Sequence, residues 1–287
     1  MTAILQQPSL TPQSISTSDG AQIAYYTIGT GPGILVIPGA LADAATYERF
    51  AQALADQFTV HLLERRGRPP SSPQGANYSM ATECADVQAV LMATKTSLVV
   101  GHSYGGLIAL EAARNNPHIT KVAVYEPGVS IDGAISMKWM PAFEQLLEAG
   151  RPMDAFVRFS LATGPNRGRT LPPWLMKVML QRFIPANEKQ RMLRLLPECL
   201  CEHQEVARLD NHYQHYQEIT AAVLLMYGGK TGSHWVDLAM QRLPTVLAHS
   251  ATHAFPKLDH FGIDKNGPEE VAAVVSTFFT QEMLGRS

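Results

Sequence analysis

The sequence predicts an α/β fold: a doubly wound, mostly parallel sheet with an inserted helical lid. Short, continuous apolar runs recur along the chain, which is typical of parallel strands that are buried on both faces. Amphipathic helical patterns alternate with these runs and indicate crossover helices. One long segment, 128–219, contains only helical patterns interrupted by prolines, and the strand pattern resumes after it.

The strands and helices follow from these patterns in chain order. Asp19-Gly20 is a hairpin-turn signal between short strands at 15–17 and 22–28. The later apolar runs predict strands at 34–37, 60–63, 97–100, 122–125 and 223–227. The amphipathic patterns predict helices at 44–56, 80–93, 105–115, 234–243 and 268–283.

The interruption of the strand–helix alternation divides the chain into three segments. We expect 1–127 to form the first part of a core domain, 128–219 a helical cap or lid, and 220–287 the second part of the core. A length of 287 residues suits one large α/β domain with an insertion.

Composition and charge exclude several classes of protein. Hydrophobic residues make up 46% of the chain, which is too many for a disordered protein. Lys and Arg number 23 against 25 Asp and Glu, and no basic block stands out, so we expect no nucleic-acid partner. The N-terminus lacks the pattern of a secretory signal, and no apolar run is long enough to span a membrane. We therefore expect a cytoplasmic monomer or homodimer.

The cysteines predict neither a disulfide framework nor a metal site. Cys84, Cys199 and Cys201 are odd in number and irregularly spaced, which favours a reducing compartment. Cys199, Cys201 and His203 would not share one face of a helix. We expect no metal and no cofactor.

The strongest chemical signal is Gly101-His102-Ser103-Tyr104-Gly105, which matches G-x-S-x-G. The motif follows the predicted strand 97–100 and opens the next predicted helix, which is the context of a nucleophile elbow. The alternative is a glycine-rich turn with an ordinary capping serine. The sequence thus predicts Ser103 as a nucleophile.

With this motif, the chain resembles the α/β-hydrolase superfamily over essentially its whole length. Residues 34–41 resemble the family's strand and oxyanion loop, 62–68 its D-x-R-G-x-G-x-S segment, and 258–261 its C-terminal histidine loop. The resemblance implies that His260 is the catalytic base. It also implies an oxyanion hole formed by the N–H groups of Tyr104 and of Ala40 or Leu41.

The sequence departs from the family pattern most clearly at the catalytic acid. Pro38 replaces the usual His of the oxyanion loop, and 68–70 read Arg-Pro-Pro, but the larger change follows the strand at 223–227. There, 228–233 contain no carboxylate.

The acid must therefore come from elsewhere in the chain or be absent. Glu126 follows the strand at 122–125, where a subset of the superfamily, including some haloalkane dehalogenases, carries its acid. Asp132 and Asp237 are the alternatives, because several strand ends converge on one site in open α/β sheets. A buried ion pair of Glu126 with Arg65 or Arg66 is the non-catalytic interpretation.

The resemblance and the lid together suggest the substrate class. A Ser-His-acid triad implies a serine hydrolase that works through an acyl-enzyme. The lid is rich in methionine and aromatic residues, which either line a pocket or fill a small helical core. We expect a small or medium hydrophobic ester, lactone or thioester. The predicted substrate-binding residues are Trp139, Met140, Phe143, Phe159 and Phe261.

Other reactions remain open on the same scaffold. A carbon–carbon bond hydrolase or a hydroxynitrile lyase would use the same triad, and the lyase could draw on Lys138 or Lys177 of the lid. A non-catalytic ligand-binding homologue is the alternative from another class, which the missing carboxylate after 223–227 keeps open.

Overall fold

One mixed sheet organises residues 11–164 and 171–281, the parts of the chain that the computed structural model describes. Within them, eight strands pair in the order β1-β2-β4-β3-β5-β6-β7-β8. The first two strands are antiparallel to their neighbours, and the others are parallel. The strands are β1 Gln13–Ser16, β2 Gln22–Ile28, β3 Gly33–Ile37, β4 Thr59–Glu64, β5 Leu98–His102, β6 Lys121–Tyr125, β7 Ala222–Gly228 and β8 Ser250–Phe255.

Helices cover both faces of this sheet. The helices are α1 Glu48–Leu54, α2 Met80–Thr94, α3 Tyr104–Ala113, α4 Met140–Glu148, α5 Pro152–Thr163, α6 Pro173–Phe183, α7 Ala186–Arg194, α8 Leu196–Arg208, α9 His234–Arg242 and α10 Pro268–Thr280. Apolar residues of α2, α3 and α9 pack on one face of the sheet, and those of α1 and α10 pack on the other.

The central strands are apolar along their length because both faces are buried. Val99 of β5 belongs to the core under α2 and α3, whereas its neighbour Val100 belongs to the core under α1 and α10. Successive side chains of a strand point to opposite faces, so each face needs its own apolar residues. The prediction of a doubly wound, mostly parallel sheet is confirmed.

The structure differs from the predicted elements most clearly at one strand and one helix. The sequence patterns did not predict β8, because five of its six residues are exposed and it lies at the sheet edge beside β7. The predicted helix at 44–56 divides into a 3₁₀ helix at Ala44–Tyr47 and α1. The predicted last helix extends into 282–283, which lie outside the described residues.

Five of the helices, α4 to α8, lie between β6 and β7 in the chain and have an apolar core of their own. The ring centroids of Trp139 and Phe143 are 4.9 Å apart, and those of Trp139 and Phe159 are 5.1 Å apart. Leu195, Leu196 and other apolar side chains complete this cluster. In the described parts of the chain, no helix has the length and apolar character needed to cross a bilayer.

A buried network of charges joins these five helices to the sheet. Arg65, directly after β4, pairs with Glu83 of α2 at 2.7 Å and with Glu202 of α8 at 2.9 Å. Arg68 approaches the same Glu202 at 2.7 Å. These four side chains are at most 1% exposed, so loss of one partner would leave a buried charge uncompensated.

Candidate active site

Ser103 occupies a strained turn between β5 and α3. Its φ of 54° and ψ of −119° lie outside the regions that side-chain-bearing residues favour. The Ser103 N–H donates to the carbonyl of Tyr125 at 3.0 Å, and the Gly128 N–H donates to the Ser103 carbonyl at 2.8 Å. These bonds to the end of β6 hold the turn next to the N-terminus of α3, where the helix dipole favours negative charge.

The glycines of the motif are required by close backbone contacts. A Cβ at Gly105 would lie 2.1 Å from the carbonyl oxygen of Ile37, and one at Gly101 would lie 2.4 Å from that of Gly105. Backbone atoms cannot retreat as a flexible side chain can. Any larger residue would therefore push α3 away from β3 and β5, and Ser103 would move with it.

Glu126 and His260 form a short, charge-assisted contact. Oε2 of Glu126 lies 2.6 Å from Nδ1 of His260, and the Glu126 side chain is fully buried while that of His260 is 24% exposed. Burial by itself lowers the pKa of His260, but the hydrogen bond to Glu126 and its negative charge outweigh this effect and raise the pKa above its usual value. The contact thus favours the protonated form of the imidazole.

The loop after β7 holds Glu126 although it contains no carboxylate of its own. The Gly228 N–H donates to Oε1 of Glu126 at 2.8 Å, and the Thr231 hydroxyl donates to the same oxygen at 2.5 Å. Glu126 itself has a positive φ of 44°. Its two oxygens are therefore divided between the strand-end loop and His260, which fixes the carboxylate in place.

The alternative partners considered for His260 and Glu126 lie elsewhere. Asp132 and Asp237 are exposed, and neither contacts His260 in the described residues. Arg65 is engaged by Glu83 and Glu202, and Arg66 by Asp86 and Asp19. The arginine pairing envisaged for Glu126 is accordingly absent from this part of the structure.

His102 and Tyr47 link the two loops that face Ser103. Nε2 of His102 lies 2.9 Å from the carbonyl oxygen of His260, so this nitrogen carries the proton and donates it. The Tyr47 hydroxyl is 2.6 Å from Nδ1 of His102 and accepts a hydrogen bond from the Gly39 N–H at 3.1 Å. Burial and the neighbouring His260 lower the pKa of His102 well below its usual value, which keeps the ring neutral.

The oxyanion-loop candidates lie beside Ser103. The carbonyl of Gly39 accepts a hydrogen bond from Nη2 of Arg65 at 3.0 Å. Among the described residues, the N–H groups of Ala40, Leu41 and Tyr104 donate to no other group. These three donors are therefore available to a ligand.

A cavity brings Ser103, His260 and this loop together. Besides those groups, the wall contains both apolar and charged side chains. The lining residues are Ala40, Leu41, Ala42, Thr46, Tyr47, His102, Ser103, Glu188, Arg191, Met192, His260, Phe261, Asp264 and Lys265. Within the described residues, Ser103 Oγ makes no hydrogen bond with the His260 ring. Such bonds are often long in ligand-free enzymes and tighten when substrate binds.

The predicted substrate-binding residues divide between this cavity and the core of helices α4 to α8, to which we give the name cap helices. Phe261 lines the cavity. Trp139 and Phe143 are 2% and 0% exposed within the apolar cluster of α4 to α8, and Met140 and Phe159 pack against that cluster. Those four residues pack among the cap helices because their apolar faces meet one another.

Several cavity residues were missed by the sequence patterns. Glu188 and Arg191 lie on α7, a helix with a strongly polar sequence that gave no functional signal. Met192 of the same helix is one of the lid methionines expected to line a pocket or fill a core, and it lines the cavity. Asp264 and Lys265 follow His260 closely, and this spacing was the one available hint. Lys138 and Lys177, considered for a lyase, do not line this cavity, and Lys177 binds Asp154 at 2.7 Å.

The structure gives no arrangement suited to a metal among the described residues. No group of three His, Cys, Asp or Glu side chains is placed to hold an ion there. Cys199 and His203 contact each other through Sγ and Nδ1 at 3.4 Å, inside the core of the cap helices.

Comparison with known proteins places this geometry in a family. The model of the Alpha/beta hydrolase family matches residues 34–274. The uncharacterized hydrolase YraK of Bacillus subtilis is 33% identical over 113 residues, which are 38% of this chain and 42% of that protein. The match therefore spans less than half the length of this curated relative.

Two solved structures share the fold. An alpha/beta hydrolase from Sphaerobacter thermophilus is 27% identical, with a TM-score of 0.79 over 93% of this chain and 100% of that one. The esterase RhEst1 from Rhodococcus is 19% identical, with a TM-score of 0.70 over 95% of this chain and 99% of that one. This low sequence identity shows a common fold and no more. Since the family model covers most of the sequence, and the elbow and the sheet agree with it, the chain belongs to the alpha/beta hydrolase family.

Proposed function

We propose that this hydrolase cleaves a small or medium hydrophobic ester, lactone or thioester through an acyl-enzyme, with Ser103 as nucleophile, His260 as general base and Glu126 as the acid of the triad. The contact of 2.6 Å between Glu126 Oε2 and His260 Nδ1, at the cavity that also contains Ser103, carries the proposal. A buried carboxylate on one nitrogen of the imidazole leaves the other nitrogen to serve as a base.

The reaction then follows from these positions. Nε2 of His260 takes the proton of the Ser103 hydroxyl as Oγ attacks the carbonyl carbon of the substrate. The tetrahedral intermediate collapses, and the leaving alcohol or thiol receives the proton from His260. Water, deprotonated by His260, then hydrolyses the acyl-serine and regenerates the Ser103 hydroxyl.

The negative charge of the tetrahedral intermediate needs preorganised donors. The N–H groups of Tyr104 and of Ala40 or Leu41 are free to bind it. The bond from Arg65 to the Gly39 carbonyl supports Ala40, because the N–H and C=O of a trans peptide unit point in opposite directions. The carbonyl faces Arg65, so the Ala40 N–H faces away from it.

Apolar contacts at the cavity come from both sides. Leu41 contributes from the oxyanion loop, Met192 from α7 and Phe261 from the loop of His260. These side chains suit an acyl or alcohol group with an apolar body.

Covalent labelling tests the proposal. A fluorophosphonate probe followed by peptide mapping should modify Ser103, and Ser103→Ala should abolish both the label and the hydrolysis of 4-nitrophenyl esters. Ser130→Ala is the control, because Ser130 is buried and its hydroxyl binds Asp210 outside the cavity. Labelling that persists in Ser103→Ala would contradict the assignment. A folded parent protein that binds the probe reversibly without covalent modification would favour a ligand-binding role.

A further inference from the structure

The cap helices contribute to the catalytic cavity through α7. Glu188, Arg191 and Met192 of this helix line the cavity, and Arg191 and Met192 follow Glu188 by about one turn. Two of these three residues are charged. The cavity wall therefore contains charged groups that a purely apolar substrate would leave unused.

The charge of Glu188 is already compensated. Its carboxylate accepts a hydrogen bond from Nζ of Lys265, which lies on the short helical segment after His260. Lys265 also lies 5.0 Å from the centroid of the Phe261 ring. Glu188 and Lys265 thus form a closed pair at the cavity edge.

Arg191 is compensated much less completely. Its nearest carboxylate is that of Asp43, with Nη1 and Oδ1 3.5 Å apart. That oxygen also accepts hydrogen bonds from the Thr46 N–H at 3.2 Å and from the Thr46 hydroxyl at 2.9 Å. A guanidinium has five N–H donors, and the Nε of Arg191 is buried with no hydrogen-bond partner among the described residues.

We propose that Arg191 binds a carboxylate of the substrate, so that the preferred substrates are esters, lactones or thioesters that carry a second, ionised carboxyl group. The proposal rests on the proposed function, because it places the reacting carbonyl at Ser103. A planar guanidinium with free donors is suited to bidentate binding of a carboxylate. The shared chemistry is the anionic group, which can belong to the acyl part or to the alcohol part of the ester.

Asp43 then competes with the substrate for the same guanidinium. Asp43 caps the 3₁₀ helix Ala44–Tyr47 through Thr46, and asparagine is an equally good cap. Asp43→Asn therefore removes the competing charge and keeps the local structure. It should lower the KM for an anionic ester, whereas loss of Arg191 should raise it.

The kinetic experiment compares matched esters. 4-Nitrophenyl hydrogen glutarate carries the carboxylate on the acyl side, 4-carboxyphenyl acetate carries it on the alcohol side, and 4-nitrophenyl hexanoate and phenyl acetate are their neutral counterparts. Arg191→Met should lower the anionic-to-neutral ratio of kcat/KM by roughly tenfold to a hundredfold, as expected for the loss of a charged hydrogen bond. Whichever anionic ester shows this effect identifies the side on which the carboxylate lies.

Arg194→Met is the control on the same helix, because Arg194 is exposed and does not line the cavity. It should leave the ratio unchanged. The proposal is overturned if Arg191→Met lowers both kcat/KM values equally, since Arg191 would then only hold α7 against the core. It is also overturned if both arginine variants change the ratio alike.

A binding measurement separates this proposal from the proposed function. Calorimetry with glutarate on Ser103→Ala, and on the same protein with Arg191→Met added, does not depend on catalysis. Glutarate binding that requires Arg191 supports the anion site even if no ester is hydrolysed. Equal binding by both proteins, or none by either, would sink the anion site while leaving serine labelling to decide the catalytic proposal.

Discussion

The hydroxyl of Tyr47 lies 2.6 Å from Nδ1 of His102, and this contact connects two loops of the cavity that contains Ser103. On one side, Tyr47 accepts a hydrogen bond from the Gly39 N–H of the oxyanion loop. On the other, His102 donates to the main-chain carbonyl of His260. Neither side chain needs to touch substrate for the pair to set the distance between His260 and the loop that contains Gly39.

Replacing Tyr47 with Phe should slow catalysis more than it weakens substrate binding. The change leaves the Gly39 N–H and Nδ1 of His102 without a partner, which should lower the free energy of unfolding by about 1–3 kcal/mol. We expect kcat to fall roughly tenfold with little change in KM, because small displacements of reacting groups are costly. Steady-state kinetics and urea unfolding measure the two effects.

Tyr216→Phe is the control for that prediction. The Tyr216 hydroxyl is equally buried and donates to Glu111 at 2.9 Å, outside the cavity. This variant should lose stability but retain kcat. Equal losses of kcat in the two variants would show that Tyr47 acts on the fold in general and not on the cavity.

Glu126→Gln should lower kcat by roughly two to four orders of magnitude, because the imidazole loses the charge that stabilises its protonated form. The same variant should shift the pH profile. Glu126 raises the pKa of His260 while burial lowers it, so the substitution must lower this pKa. Activity requires neutral His260, and the acidic limb of kcat/KM should therefore move to lower pH.

Asp132→Asn and Asp237→Asn, at exposed positions, should keep both the rate and the profile of the parent. A fully active Glu126→Gln protein, with an inactive Asp132 or Asp237 variant, would transfer the acid role to that residue. Circular dichroism must show that the Glu126 variant is folded, since Glu126 also accepts from Gly228 and Thr231.

Asp264 should make stability depend on pH. Burial raises the pKa of this carboxyl to about 7 in the folded protein, so the folded state holds its proton over a range in which the unfolded chain has lost it. Stability from this group is present at low pH and is lost as the pH rises through about 7. Between pH 5 and pH 8 the loss should be about 3 kcal/mol.

Asp264→Asn should remove that loss. The stability of the variant relative to that of the parent should therefore be higher at pH 8 than at pH 5. Urea unfolding at the two pH values measures the difference. Asp237→Asn, at an exposed site, should follow the parent curve. A parent and an Asp264 variant whose stabilities change in parallel would contradict the prediction.

The sheet was predictable because its signals are local. Strands such as β5 and β6 are apolar at every position, since each residue must satisfy one of two buried faces. The edge strand β8 has no such requirement, and its exposed Ser, Thr and His residues resemble a loop. It is a strand because it pairs with β7, and this pairing cannot be deduced from the sequence of one segment alone.

The candidate site divides in the same way. Ser103 is predictable because its G-x-S-x-G motif lies between a strand pattern and a helix pattern that adjoin it in the sequence. Glu126 is predictable from its position at the end of a strand. The positions of the cap residues depend on how the helices pack. The apolar face around Trp139 could pack against the cavity or against other helices, and in the structure it packs against other helices. Arg191 reaches the cavity only because α7 lies against the core, which no local pattern encodes.

The burial of Glu202 between Arg65 and Arg68 restricts how this chain could be recombined. A chimaera that took helices α4 to α8 from a relative without an acid at the position of Glu202 would leave Glu83 as the remaining carboxylate of the network beside two guanidinium groups. Because Arg65 also holds the Gly39 carbonyl, the mismatch would reach the loop beside the nucleophile. Helices α4 to α8 and the sheet must therefore be exchanged or redesigned together, so that these charges stay balanced.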